Sequence, residues 1–173
     1  MKTKLFVFDG VIIMINITLI VLGKLKEKYL TLACEEYIKR LFTLCKLNIS
    51  ELSPVSLPDN PNKTQIQQAL EVEAKDIIAK IPKNSKIVSM CIEGKSMSSK
   101  EFSDFFDNMA LSGESNITFI IGSSYGLSDK IKNMSDLKLS MSEMTFPHQL
   151  ARVMLLEQIY RAMMISYGRK YDK

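Results

Sequence analysis

The 173-residue chain lacks most of the residues by which familiar chemistries announce themselves. It has one histidine, His148, which excludes a multi-histidine metal site built from a single chain. Its three cysteines, Cys34, Cys45 and Cys91, are odd in number and form no C-x-x-C spacing. They suit neither a disulfide framework nor a zinc knuckle, and a reducing, cytoplasmic setting fits them best. Seven glycines and five prolines are too few for collagen, a disordered tail or a low-complexity array. Charge of one sign is also scarce: 23 Lys and Arg against 19 Asp and Glu leave +4. That excess permits contact with a polyanion without demanding one. There is no Walker loop, no nucleophile–base pair and no acidic or cysteine-rich metal cluster, so no metal is expected.

The length suits one compact domain. Leu5 to Leu22 is almost wholly apolar after Met1-Lys-Thr-Lys4, which could suggest a signal peptide or membrane span. Asp9-Gly10 interrupts it, however, and Asn16 and Thr18 alternate with Ile15, Ile17 and Leu19 at strand period. The run therefore reads as a buried first strand over Ile15–Leu22 and not as a membrane segment. Residues 1–13 read as an extension outside the fold, with Met14 a plausible initiator, and 14–173 as a single domain.

Beyond it, Tyr29, Leu32, Ala33, Tyr37 and Leu41 fall at three- and four-residue steps and predict an amphipathic helix from Glu27 to about Leu44. Ile49–Val55 is a weak strand, and Ser53–Lys63, with three of the five prolines, a loop. Thr64-x-x-Gln67 has the capping-box pattern and opens a helix with Ile66, Leu70, Ile77 and Ile78 on one side, ending near Ile81-Pro82. A short strand spans Lys86–Cys91. Ser98-x-x-Glu101 caps a helix carrying Phe102, Phe105, Phe106 and Met109. Ile117–Ile121 is a buried strand, followed by a short helix from Ser128 and a strand near Leu137–Met141. Pro147 suits the first turn of a last helix reaching about Ser166. That helix is apolar on nearly all sides, and the simplest outer cover for it is a second copy of the chain, a homodimer. The alternation predicts an α/β fold with a mostly parallel sheet.

Ligands of such sheets gather at the carboxyl ends of the strands. Three loops qualify: Cys91–Lys95, Gly122–Gly126 and Ser140–Pro147. Glycines 122 and 126 let a ligand approach the backbone. In the third loop, Ser142, Glu143 and Thr145 offer hydrogen bonds between Met141, Met144 and Phe146, which could flank a flat apolar ring or simply fill core space. Arg161 has Glu157 four residues earlier for an ion pair. Arg152, amid apolar neighbours, needs a carboxylate, carbonyl cluster or phosphate. His148 stands beside the same loop, as a structural or proton-handling group. The tail Arg169-Lys170-Tyr171-Asp172-Lys173 surrounds a tyrosine with cations, suiting phosphate contact and base stacking.

Several segments together resemble one known family. They are Gly23-Lys-Leu-Lys-Glu-Lys-Tyr29, Glu93-Gly-Lys95, Phe119-Ile-Ile-Gly122 with Gly126-Leu127, and above all Ser142-Glu-Met-Thr-Phe-Pro-His-Gln149, extended by Arg152 and Glu157–Ala162. The chain from Met14 onward resembles the SPOUT-class methyltransferases that act on N3 of a pseudouridine in 23S ribosomal RNA, the RlmH family. The resemblance implies a C-terminal trefoil knot, an obligate homodimer, S-adenosylmethionine as methyl donor and ribosomal RNA as partner. By position it implies donor contacts at Met90, Gly122, Met141, Ser142, Glu143, Met144, Thr145 and Phe146. Arg152, Tyr171 and His148 become the catalytic candidates, and Arg152, Arg169, Lys170 and Lys173 the RNA contacts. Two departures stand out. Ser123 replaces a usual second glycine, and Asp172 a usual histidine near the end, which adds a negative charge facing RNA. The latter defines an alternative reading, a non-catalytic dimer that keeps RNA and donor affinity.

Overall fold

The computed structural model describes residues 6–8 and 11–168. Two short strands, β1 (Phe6–Phe8) and β2 (Val11–Ile13), pair antiparallel with each other. They form a sheet separate from the main one. The remaining chain runs β3 (Asn16–Leu22), α1 (Lys28–Leu41), β4 (Lys46–Leu52), α2 (Lys63–Lys80), β5 (Lys86–Ser96) and α3 (Ser99–Leu111). It then continues through β6 (Asn116–Ile121), α4 (Asp129–Met134), β7 (Leu137–Ser140) and α5 (His148–Ser166). Strands β3 to β7 make one sheet in the order β4-β3-β6-β5-β7, parallel throughout. The alternation seen in the sequence is thus realised as an α/β fold.

Period-two alternation sorts side chains onto two cores. In β3, Ile17, Leu19 and Val21 face a core shared with Cys34 and Leu41 of α1, Phe102, Phe106 and Met109 of α3, and Leu155, Leu156, Ile159 and Met163 of α5. Ile20 and Leu22 face the other way, onto Ala74 and Ile77 of α2 and Ile131 of α4. Helices α1, α3 and α5 therefore cover one face, and α2 and α4 the other. Phe102 packs edge-on against Phe106 and Phe119, with centroids 5.1 and 6.0 Å apart, and Phe106 and Phe119 are fully buried. Truncating either to alanine would cost about 3–5 kcal/mol.

Several expectations need correction. The buried stripe of α1 is Leu30, Cys34 and Leu41, whereas Tyr29 and Leu32 are exposed at 67% and 55%. The capping box of α2 belongs to Asn62 and Gln65, not Thr64 and Gln67. Its buried positions are Ala69, Glu73, Ala74 and Ile77. Strand β4 starts three residues earlier than expected, because Asn16–Leu22 pairs with it along its whole length. Strand β5 does not stop at Cys91: it bulges out between Met90 and Lys95 and rejoins β7. The capping box Ser98–Glu101 stands as read. Inside the chain, α5 lies between α1 and α3, so its own neighbours supply much of the cover that its apolar surface requires.

Candidate active site

The three loops singled out in the sequence converge. Residues 91–93, 122–127, 140–142 and 144–148, together with Met90, Ile121, Lys132, Leu139 and Ala151, line one cavity of about 670 Å³. It sits at the carboxyl ends of β5, β6 and β7, where parallel sheets collect ligands. Its volume falls within the range of sites for molecules of cofactor size.

Local chemistry shapes each wall. A Cβ at Gly122 would lie 2.2 Å from the Gly126 carbonyl oxygen and 2.5 Å from its carbon, so only glycine fits there. The Gly126 N–H closes the turn onto the Ser123 carbonyl at 2.9 Å. Gly94 is held as tightly: a Cβ would meet the Lys138 carbonyl at 2.7 Å, and this lets the β5 bulge lie against β7. The third wall is braced from within, the Ser140 hydroxyl donating to the Ser142 carbonyl (2.9 Å) and the Met144 N–H to the Ser142 hydroxyl (3.0 Å). These bonds present backbone groups and the Met141, Met144 and Phe146 side chains along the cavity. Met144 is 72% exposed, as fits a residue that meets a ligand better than one that fills core space.

Charge enters at few points. Lys132 of α4 pairs with Glu93 at 2.6 Å, and its hydrogen bond holds the Glu93 carboxyl below the usual carboxylate range. Burial, with Lys26 nearby, pushes the His148 imidazole below its ordinary value, which favours the neutral form. The α5 start is fixed by the Lys26 N–H, which donates to the Gln149 side-chain oxygen at 2.8 Å. Behind the glycine turn, Glu73 of α2 is buried, accepts from the Val55 N–H and the Ser123 hydroxyl at 3.0 Å each, and has its carboxyl raised by burial. Among the described residues no group of three metal-ligating side chains exists, and no helix is long and apolar enough to cross a membrane.

Of the candidates named from sequence, Met90, Gly122, Met141, Ser142, Met144, Thr145, Phe146 and His148 line the cavity, whereas Glu143 is exposed and does not. Arg152 does not line it either. It is 6% exposed and its Nη1 donates to Glu51 at 2.5 Å, the carboxylate partner its isolation required. Its Nε is buried with no hydrogen-bond partner among the described residues. Arg161 pairs with Glu157 as expected. Tyr171, Arg169, Lys170, Asp172 and Lys173 lie outside the described residues. The sequence reading missed Lys132, Tyr125 and Glu73. Only the position of Tyr125 between the two glycines offered a hint, since Lys132 and Glu73 resemble ordinary solvated helix residues.

The cavity agrees with what related chains are. The family described as "Predicted SPOUT methyltransferase" matches residues 15–172. "Ribosomal RNA large subunit methyltransferase H" of Clostridium tetani is 49% identical over 91% of this chain and 99% of its own length. The protein of the same name from Clostridium acetobutylicum is 51% identical over the same shares. Among solved structures, a probable methylase family protein from Haemophilus influenzae Rd KW20 superposes with a TM-score of 0.51 at 13% identity, covering 92% of this chain and 71% of that one. The last likeness is one of fold.

Proposed function

The chain belongs to the SPOUT methyltransferase family, and from that premise we propose that it methylates N3 of a pseudouridine in 23S ribosomal RNA. It is a methyltransferase of large-subunit ribosomal RNA that uses S-adenosylmethionine. The observation that carries this reading is the cavity over β5, β6 and β7, whose lining contains all but one of the donor-contact positions read from sequence. The relatives are named as methyltransferases, and nothing in them favours a non-catalytic role.

The residues present fit the donor. A site that admits no Cβ at Gly122 is shaped for close backbone approach. The 141–146 loop combines thioether and aromatic walls with backbone groups that suit an adenine edge, and Met90 and Leu139 close the floor. When bound, S-adenosylmethionine supplies an electrophilic methyl group. The protein's task is then to orient the base and to relieve N3 of its proton, which asks for positioning more than for a strong base. His148, on the cavity wall, is a candidate structural or proton-handling group there. Arg152, held by Glu51 in the second turn of α5, is our candidate on the RNA side, for anchoring a phosphate or stabilising the deprotonated base. Tyr171 and the cations Arg169, Lys170 and Lys173 complete the RNA side.

The active unit is a homodimer in the cytoplasm, with α5 in a trefoil knot and residues 14–173 forming the domain. Tyr29 and Leu150, exposed in the first turns of α1 and α5, lie at the ends that the Lys26–Gln149 bond joins, and they offer the partner an apolar surface. The test is incubation of the purified protein with labelled donor and ribosomes from a strain lacking the modification. Label at N3 of a 23S pseudouridine is expected. No label in large-subunit RNA, with an active relative labelling it in parallel, refutes the proposal.

A further inference from the structure

The Gly122–Gly126 turn is held both from within and from outside. Within the turn there is the Gly126 N–H bond to the Ser123 carbonyl and the close approach of Gly122 to Gly126. From outside comes Glu73, on the α2 face of the sheet, opposite α5. Its two oxygens are divided between two loops. Oε1 accepts the Val55 N–H from the proline-containing segment after β4, and Oε2 accepts the Ser123 hydroxyl, each at 3.0 Å. Glu73 is 4% exposed and shares its helix face with Ala74 and Ile77. A carboxylate in such a place is costly unless its hydrogen bonds are essential to what surrounds it. Packing alone would be served by an apolar side chain.

We propose that Glu73 is a positioning residue of the methyl-donor site: by accepting the Ser123 hydroxyl it holds the Gly122–Gly126 turn in the shape that receives S-adenosylmethionine. The inference rests on reading the cavity as the donor site. Ser123 lines that cavity, so a slack turn would alter donor binding while leaving the groups assigned to the RNA side in place. Glutamine at 73 preserves the arrangement, because its oxygen can accept from Val55 and its amide can donate to the Ser123 oxygen.

The test is calorimetry with S-adenosylmethionine on the full-length protein, paired with steady-state kinetics on ribosomes. Ser123→Ala and Glu73→Leu should each weaken donor binding about three- to tenfold, raising KM for the donor while kcat at saturating donor stays within about twofold. Glu73→Gln should bind close to wild type. The double variant Glu73→Leu/Ser123→Ala should bind no worse than Glu73→Leu alone, since both remove the same bond. If Glu73→Leu fails to fold, Ser123→Ala, Glu73→Gln and their combination decide the matter. Equal donor affinity in wild type and Ser123→Ala, or additive losses in the double variant, would overturn the inference alone. Wild-type protein that takes up no donor would overturn the reading of the cavity, and this inference with it.

Discussion

Replacing Gly122 by alanine probes the donor site more sharply than any charge removal, because the clash is with backbone. The new Cβ would begin 2.2 Å from the Gly126 carbonyl oxygen, where real contacts essentially never fall below 3.0 Å. The turn must open by several tenths of an ångström, and neither neighbour is the far end of a flexible side chain. Strain of this kind costs about 2–3 kcal/mol, which for a chain of this size lowers the melting temperature by about 4–12 °C. Gly126→Ala is the control: its φ of +83° is strained for alanine, yet a Cβ there meets nothing within 4 Å. It should cost only about 1–2 kcal/mol. Donor affinity should fall at least about tenfold in Gly122→Ala. Donor at a hundred times the wild-type Kd stabilises wild type by about 2.7 kcal/mol, and a tenfold weaker variant by about 1.4 kcal/mol. Thermal melts with and without S-adenosylmethionine read both quantities. A Gly122→Ala protein that melts with wild type and keeps the full donor-induced shift would refute the reasoning about this turn.

Arg152→Ala should leave donor binding intact in calorimetry while methyl transfer collapses. It should also destabilise the fold by about 3 kcal/mol, since Glu51 loses its partner; an active variant would remove the residue from the RNA side. His148 has its pKa below the ordinary 6.5 in the folded chain, so on acidification the unfolded chain takes up that proton first. Its contribution is present above pH 6.5 and is lost as pH falls below it. Wild type should therefore lose more stability than His148→Gln between pH 7.5 and 5.5 in denaturant titrations. The comparison cancels the opposite tendency of Glu73, whose raised pKa favours the fold on acidification. Burial pushes the Cys45 thiol up to about 12 and also raises Cys34. Burial and nearby Glu93 push the Cys91 thiol up as well, but Cys91 alone of the three is only half-buried, in the cavity lining, so it should be alkylated first at pH 8, and donor should protect it in mass spectra.

Legibility followed the range of the interaction. Strands β3 and β6 were plain because apolar runs with period-two polar breaks suit a sheet covered on both faces. The cap Ser98–Glu101 was plain because both partners lie within one turn. The α1 stripe was misplaced because Tyr29 and Leu32 keep helical spacing as well as Leu30 and Cys34 do, and only packing against α5 chooses between them. The α2 cap was misread for a similar reason, Asn62-x-x-Gln65 and Thr64-x-x-Gln67 being overlapping patterns. At the site, the loop 140–147 could be read from its residues, and Arg152 was marked by its isolation. Its partner Glu51 is 101 residues away, and Glu73 lies 50 residues from Ser123. No local pattern distinguishes either glutamate from a solvated one.

The place of α5 in the chain also bears on how the molecule comes into being. The His148 ring packs on Gly23 and the Gln149 side chain binds Lys26, yet more than 120 residues are translated between them. At about 5–20 residues per second, synthesis leaves the inner surface of α1 without its last companion for on the order of 6–25 s, and that of α3 for roughly 3–11 s. Apolar surface exposed during these intervals is the kind that aggregates or recruits chaperones. Methyl-donor affinity should switch on only once α5 has docked, as a late event whose rate reports the docking of a single helix.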